Sequence, residues 1–331
     1  MKKIINNPEQ VVEEMLQGMV KAHPEYIKRV DGFDVVARTI KPVSKVALIS
    51  GGGSGHEPSH GGFVGTGMLD AAIAGDVFTS PTPQQVFGAI KAADNGNGVL
   101  MVIKNYSGDV MNFEMAAELA DMEDIKVEQV IVNDDVAVED SLYTTGRRGI
   151  AGTIFIHKIA GAAAEAGKDI GEVKLVAEKV IANVRSMGMS LSPCTIPAVG
   201  KPGFELPENK MEIGLGIHGE PGTHQDDIKT SKEIAKILTD RIFEDMTFED
   251  DDEVAILING LGGTPAMELY IANNDVKNIF DEKGIKVYKT MVGNFMTSLE
   301  MAGYSISVLK LDKELKGYLD ATADTIAFRQ L

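Results

Sequence analysis

The sequence is poor in cysteine, in aromatic residues and in positive charge. Its 331 residues include one cysteine, Cys194, so the chain cannot form an internal disulfide or a cysteine-rich metal site. The formal net charge of -17 argues against nucleic acid and anionic membranes as partners, because neutralising phosphates requires a basic face. No run approaches the roughly 20 apolar residues of a membrane-spanning helix, and the start of the chain is too polar for a signal peptide. We therefore expect a soluble, cytoplasmic protein that binds neither nucleic acid nor a membrane.

The first half of the chain alternates short apolar runs with stretches of helical spacing. Strands are predicted for residues 46–49, 99–103 and 127–132, with helices at 83–94, 109–121 and 149–166. This βαβ alternation predicts a mostly parallel sheet. In such sheets, binding and catalytic residues commonly lie on the loops at the carboxyl ends of the strands.

The second half repeats the alternation after a helical run at 173–184 and a segment rich in proline and glycine at 193–207. Its predicted strands and helices cover residues 212–217, 231–243, 254–258, 266–283, 287–292 and 306–309. We therefore predict an α/β fold with two α/β domains, residues 1–187 and 188–331, and an active site between glycine-rich loops at strand ends.

Two glycine-rich turns each carry a histidine. The first, at residues 51–58, contains Gly53, Ser54, Gly55 and His56, and the second, at 214–222, contains His218. Glycines leave an imidazole few side-chain neighbours, so it can meet a small ligand directly. Taken singly, each histidine is explained equally well as a structural or turn residue. The pair predicts one pocket that is built from two distant segments.

A lysine and an aspartate lie at the end of another predicted strand. Taken alone, Asp109 is best explained as a helix N-cap, and Lys104 either extends to the surface or points into a polar pocket. Together with the two histidines they form the pattern of a site, and no spacing typical of metal ligands joins them, so we predict no metal. The Arg147–Arg148 pair either holds an anion or, in the favoured interpretation, starts a helix.

Nucleotide-binding motifs are incomplete in this sequence. A Walker loop requires Gly-Lys-Ser or Gly-Lys-Thr, and neither Gly-Lys pair is followed by either residue. Gly214, Gly216 and Gly219 match the dinucleotide spacing G-x-G-x-x-G, but Pro221 interrupts the helix that should follow. A nucleotide-dependent oxidoreductase is thus a distant alternative, and we expect no cofactor to be bound by this chain.

Several longer motifs resemble the K subunit of dihydroxyacetone kinases. They occupy residues 51–58, 78–83, 104–109, 134–138, 146–149 and 216–222. The resemblance implies that His218 binds dihydroxyacetone covalently as a hemiaminal, since a neutral imidazole nitrogen is a nucleophile and a ketone carbon an electrophile. It implies that Asp109 accepts the proton of the attacking hydroxyl group and that His56 hydrogen-bonds the substrate and assists this transfer. The remaining pocket residues that it implies are Gly53, Ser54, Gly55 and Lys104.

The resemblance also implies partners. Family members that use ATP directly carry a further helical nucleotide-binding domain, for which a chain ending at Leu331 has no room. We therefore expect ADP or ATP and magnesium on a separate, L-type kinase subunit, which a phosphoryl donor of the phosphoenolpyruvate phosphotransferase system recharges, and we expect a homodimer. The alternative is a dihydroxyacetone-sensing paralogue that acts as coactivator of a transcription regulator. The presence of Asp109, His56 and Lys104 favours the enzyme.

Overall fold

A computed structural model describes residues 2–139, 146–220, 222–249 and 251–331 of the chain. The predicted helix interruption at Pro221 therefore lies outside the described residues. The described segments form three sheets with helices packed around two of them.

The first sheet has six strands in the order β1-β2-β5-β3-β6-β7. The strands are β1 (Ile27–Arg29), β2 (Val35–Arg38), β3 (Ala47–Ser54), β5 (Ala71–Val77), β6 (Val99–Lys104) and β7 (Val127–Val132). Strands β5, β3, β6 and β7 pair in parallel, and β1 and β2 add an antiparallel edge. The predicted α/β fold with a mostly parallel first sheet is confirmed.

Helices cover both faces of this sheet, which explains why its central strands are continuously apolar. The helices are α1 (Val11–Ala22), α2 (Pro83–Ala93), α3 (Ser107–Asp121), α4 (Thr153–Glu165) and α5 (Ile170–Asn183). On one face α2 and α3 bury Ile90 and Phe113 against the sheet. On the other face α4 and α5 bury Phe155 and Val180 in a separate core.

The second sheet is mostly antiparallel, with the order β10-β9-β8-β13-β11-β12. Its strands are β8 (Val184–Ser190), β9 (Lys210–Ile213), β10 (His224–Asp227), β11 (Glu253–Gly260), β12 (Lys286–Gly293) and β13 (Gly303–Leu311). Helices α6 (Ser231–Asp245) and α7 (Ala266–Glu282) pack together over one of its faces around Leu238 and Phe280.

The chain then returns to the first sheet's side of the molecule. Helix α8 (Lys313–Asp320) contacts α4, and strands β14 (Ala323–Thr325) and β15 (Arg329–Gln330) form a small antiparallel sheet with β4 (Gly65–Thr66). Strand β8 runs across residue 187, and the C-terminal strands pair with a strand of the first half. A domain boundary at residue 187 stays a prediction.

Several predicted elements have different ends in the structure, and two of these differences concern residues near the histidine loops. The strand predicted for 212–217 ends at Ile213, because Gly214 adopts a φ of 75° and turns the chain. The helix predicted for 149–166 begins at Thr153. The interpretation of Arg147 and Arg148 as a helix start is therefore wrong, since both precede the helix by several residues.

Candidate functional site

Strands β3 and β6 are neighbours, so the loops at their carboxyl ends lie side by side. Lys104, the last residue of β6, is fully buried, and its Nζ donates a hydrogen bond to the Gly51 carbonyl oxygen over 3.0 Å. A Cβ atom on Gly52 would lie 2.6 Å from that Nζ and would displace the ammonium group, and the φ of 148° at Gly52 is a conformation that favours glycine. Lys104 points into the protein, not to the surface.

Asp109 lies in the first turn of helix α3, 3.8 Å from Lys104 Nζ through its Oδ2 atom. The N-cap position belongs to Tyr106, because the helix begins at Ser107. The N-cap interpretation of Asp109 is therefore wrong. Its Oδ1 atom is buried and has no hydrogen-bond partner in the part of the chain that the structure describes.

His56 is fully buried in the loop after β3. Its Nδ1 lies 2.7 Å from the carbonyl oxygen of Thr297, which can only accept, so Nδ1 carries the proton and Nε2 carries the lone pair. Burial, and then the charges of His218 and Lys104, hold the pKa of His56 well below its usual value. His56 is thus a neutral imidazole, and its buried Nε2 lacks a hydrogen-bond partner among the described residues.

His218 lies in the loop after β9 and is oriented by Glu220. The Glu220 carboxylate lies 3.0 Å from His218 Nδ1 and accepts a hydrogen bond of 2.9 Å from the His218 backbone N–H. Burial alone would raise the pKa of Glu220, but the interaction with His218, backbone hydrogen bonding and the charge of Arg148 lower that pKa to about 2. A carboxylate at Nδ1 leaves the proton there and the lone pair on Nε2.

The two histidine loops meet in the structure. The rings of His56 and His218 lie edge to face with centroids 4.8 Å apart. Tyr106 and Phe78 also contact the His218 ring, at 4.5 and 5.3 Å. Aromatic side chains therefore surround His218, which is the more exposed of the two imidazoles, with 17% of its side chain accessible.

The small residues of the first loop shape its path. Ser54 is buried and donates a hydrogen bond to the Gly75 carbonyl oxygen. A Cβ on Gly53 would lie 2.5 Å from the Thr79 backbone nitrogen, and one on Gly55 would lie 2.7 Å from the Phe78 ring. Gly53 and Gly55 thus allow the close approach that brings Phe78 against the histidines, and Ser54 anchors the strand end between them.

The site contains four further residues that the sequence did not predict as catalytic or substrate-binding: Phe78, Tyr106, Arg148 and Glu220. Arg148 is fully buried, where its guanidinium group bonds the Asp135 carboxylate at 2.8 Å and the Gly214 carbonyl oxygen at 2.7 Å. It thereby ties the His218 loop to the first half of the chain. The sequence signals for Glu220 were its place two residues after His218 and the Glu-Pro pair that follows both His56 and His218.

Four buried polar atoms near His218 have no hydrogen-bond partner within the described ranges: His56 Nε2, Tyr106 Oη, Asp109 Oδ1 and Arg148 Nη1. Burial, and the neighbouring charge of Glu220, hold the pKa of Tyr106 well above its usual value, so its hydroxyl group keeps its proton. Unsatisfied buried polar groups are costly and rare in folded proteins. Their concentration beside a partly exposed imidazole is the arrangement expected for a pocket that takes a small polar molecule.

The Dak1 domain matches residues 17–327 of this chain. The chain belongs to the Dak1 domain family. A relative that is 56% identical, with 99% of this chain and 100% of the relative aligned, is the dihydroxyacetone-binding subunit DhaK of PTS-dependent dihydroxyacetone kinase 1 from Listeria innocua. None of the described helices is long and apolar enough to cross a membrane.

Two solved structures resemble this Dak1 chain closely. The dihydroxyacetone kinase of C. freundii in complex with AMP-PNP and Mg2+ is 34% identical with a TM-score of 0.92, covering 99% of this chain but 61% of that longer chain. The dihydroxyacetone kinase operon co-activator DhaQ is also 34% identical, with a TM-score of 0.91 and coverage of 96% and 98%. The fold is therefore shared by an enzyme and by a co-activator.

Proposed function

We propose that this chain is the dihydroxyacetone-binding, catalytic subunit of a phosphotransferase that produces dihydroxyacetone phosphate. The Listeria relative named as such a subunit aligns over its full length. The observation that carries the proposal is the pairing of His218 with Glu220 beside the unsatisfied atoms of His56 and Asp109. A short hydroxyketone matches that pocket, because it offers one electrophilic carbon and hydroxyl groups for the unpaired atoms.

In the proposed capture step, His218 is the nucleophile. Its Nε2 lone pair forms a bond to the carbonyl carbon, and the electron pair of the C=O π bond moves to the oxygen. The oxygen takes up a proton, and the Nδ1 proton leaves through the Glu220 carboxylate, so the product is a neutral hemiaminal. Glu220 stabilises the positive charge that the ring carries in between. In this proposal, the Tyr106 hydroxyl group, which has no other partner among the described residues, donates a hydrogen bond to the oxygen.

In the proposed transfer step, Asp109 is the base. Its free Oδ1 accepts the proton of a terminal hydroxyl group while the oxygen of that group attacks the γ-phosphorus of a nucleotide. The bond between the γ-phosphorus and the leaving oxygen breaks, and the diphosphate nucleotide departs. His56 Nε2 accepts a hydrogen bond from the substrate and assists the proton transfer. The protein thus positions and deprotonates an acceptor that it holds covalently.

The nucleotide belongs, in this proposal, to a separate L-type subunit that binds ADP or ATP with magnesium. The C. freundii enzyme, whose structure contains AMP-PNP and Mg2+, extends well beyond the part that aligns with this chain. Relatives of the same length are named as PTS-dependent subunits. We therefore assign recharging of the partner to the phosphoenolpyruvate phosphotransferase system, and we propose that this chain forms a homodimer.

The experiment that tests the proposal is intact mass spectrometry of the chain with dihydroxyacetone, followed by an assay with the nucleotide-bearing partner. We expect one triose adduct, lost in His218→Ala and retained in His224→Ala, which alters an exposed histidine on β10. We expect dihydroxyacetone phosphate only when the partner is added. Turnover with ATP by the chain alone would refute the need for a partner, and an adduct in His218→Ala would place the nucleophile elsewhere.

The similarity to a co-activator structure makes sensing the second candidate. A sensor needs the capture step but needs neither a base nor a partner that transfers phosphate. Capture without turnover in the presence of every kinase partner of the host would favour the sensor.

A further inference from the structure

Two buried histidines, His60 and His157, follow Lys104 in a chain of contacts that does not include His218 among the described residues. His60 Nε2 is 3.1 Å from Lys104 Nζ, and His60 Nδ1 is 3.0 Å from His157 Nε2. His157 lies in helix α4 and is fully buried, and His60 is 5% accessible. The chain of contacts thus runs from the Lys104 ammonium group, at the end of β6, to a residue of the buried helix α4.

The ammonium group dictates where the protons lie on both rings. It can only donate, so His60 Nε2 must accept and His60 Nδ1 must carry the proton. That proton is donated to His157 Nε2, which places the His157 proton on Nδ1. Burial first, and then the charge of Lys104, hold the pKa of His60 well below its usual value and lower that of His157 to about 3. Both rings are therefore neutral, and each accepts a hydrogen bond at its Nε2. The hydrogen bonds run in one direction, from Lys104 to His60 and from His60 to His157.

These contacts fix the distance between Lys104 and Asp109. Two donors of the ammonium group are used by neutral acceptors, the Gly51 carbonyl oxygen and His60 Nε2. Asp109 Oδ2 remains 3.8 Å from Nζ, whereas a hydrogen-bonded ion pair closes to about 2.7–2.9 Å. Lys104 therefore supplies positive charge to the carboxylate without a hydrogen bond to it.

We propose that His60 and His157 are positioning residues that hold the Lys104 ammonium group back from Asp109 and so preserve the basicity of that carboxylate. The inference rests on the proposed role of Asp109 as the base. A contact ion pair would favour the carboxylate form and make it a poorer proton acceptor, whereas loss of the cation would favour the protonated acid. At 3.8 Å from Asp109 Oδ2, the ammonium group favours the carboxylate form less than a contact ion pair would and more than an absent cation would.

His157 acts through His60, since no contact joins it to Asp109 within the described residues. Its Nε2 accepts the His60 proton and thereby selects the tautomer whose Nε2 faces Lys104. Without that acceptor, His60 can place its proton on Nε2, which would point a donor at an ammonium group. The other titratable groups facing this cluster are His56, on the side of His60, and Tyr106, on the side of Asp109. They are unchanged in every variant below.

The test compares pH profiles of kcat, measured with the nucleotide-bearing partner, for the unmodified chain and three variants. In His60→Phe the freed ammonium group closes on Asp109, so we expect kcat to fall about tenfold and the acidic limb to move down by roughly one pH unit. In His60→Gln an amide oxygen can replace Nε2 as acceptor, so the limb should return toward that of the unmodified chain. In His157→Phe we expect a smaller shift in the same direction as His60→Phe.

Substrate capture separates this role from a structural one. The His218 adduct, read by intact mass, and KM should change little in the three variants, and His224→Phe serves as an exposed control. A fall in kcat with an unmoved acidic limb, or a glutamine variant no better than the phenylalanine variant, would overturn the proposal.

The 15N chemical shifts of the histidines report which ring nitrogen carries the proton, and this measurement does not depend on enzymatic activity. In the unmodified chain, we expect His60 and His157 both as neutral Nδ1–H tautomers between pH 6 and 8. A protonated or Nε2–H form of His60 could not accept a hydrogen bond from Lys104, so it would refute the proposal even if the variants fail to fold. If the chain with its partner gives no turnover, the proposed function fails, whereas the tautomers still decide whether Lys104 is held.

Discussion

At the residue scale, the site is defined by which nitrogen of each histidine carries the proton. His56 and His218 both have Nδ1 occupied by an acceptor, so both present the Nε2 lone pair to the pocket. The acceptors differ in charge. The Thr297 carbonyl keeps His56 a neutral acceptor, whereas the Glu220 carboxylate can stabilise a positive ring. This difference is the reason for proposing His218, and not His56, as the nucleophile.

Asp109→Asn tests the base at this scale. The change preserves shape but removes the proton acceptor, so we expect turnover with the partner to fall by about 10²-fold or more while the His218 adduct persists. The fold should survive, because Asp109 does not cap its helix and Lys104 keeps the Gly51 oxygen and His60 as acceptors. Asp121→Asn, at the exposed end of the same helix, is the control for turnover. Turnover near that of the unmodified chain in Asp109→Asn would remove the catalytic role.

At the element scale, helix α4 is unusual because residues 153–164 are buried on every side. Gly161 allows this helix to pack against the backbone of residues 67 and 68 next to β4. The same helix carries His157 and contacts α5 and α8, so it joins the first sheet to the C-terminal segment. Close packing of α4 therefore supports both the fold and the histidine pair behind Lys104.

Gly161→Ala and Gly18→Ala should change stability in opposite directions. A Cβ on Gly161 would lie 2.5 Å from the Gly67 carbonyl oxygen, and we expect the overpacking to lower the free energy of unfolding by about 1–3 kcal/mol. A Cβ on Gly18, inside helix α1, meets nothing within 4 Å, so alanine should stabilise by about 0.5–1 kcal/mol. Urea unfolding measures both. Equal effects of the two changes would contradict the packing of α4.

At the scale of the whole molecule, the site depends on contacts between loops of the two halves of the chain. The first glycine loop is joined to residues 297–299, since Leu299 N–H bonds the Gly55 carbonyl oxygen and Thr297 N–H bonds that of His56. Arg148 joins the first half to the His218 loop from the other side. The pocket therefore exists only when both halves are folded and docked. The folded chain buries His56 in this site and His60 and His157 next to Lys104, all as neutral rings.

Burial of these rings makes global stability depend on pH. The pKa of His157 is about 3 in the folded protein and about 6.5 when unfolded, so the unfolded state binds the extra proton between these values. Stability must fall as the pH drops from about 6.5 toward 3. We expect His157→Phe to flatten the pH dependence by up to about 1.4 kcal/mol per pH unit in this window, measured by urea unfolding at pH 4.5–6. Ile159→Val, in the same helix, should lower stability without changing the slope, and parallel curves for His157→Phe would contradict the shift.

The sequence by itself determined the α/β alternation, most element positions and the family. Strand β6 begins at its predicted residue and ends one residue later than predicted, because a central parallel strand is continuously apolar. The edge strand β7 has its predicted bounds. The glycine loops and the membership of the Dak1 family were equally legible, since each depends on residues that are contiguous in the chain. The proximity of His56 to His218 could be predicted only as a hypothesis from the two similar loops.

Only the tertiary structure decided the chemistry within the site. The acceptors that orient His56 and hold Lys104 lie on other segments, such as Thr297 and His60, and no local pattern in the sequence marks them. The N-cap interpretation of Asp109 and the helix-start interpretation of Arg148 were wrong for the same reason. Helix starts are poorly marked in sequence, and a buried ionisable side chain takes its role from whichever partners the fold brings within hydrogen-bond distance.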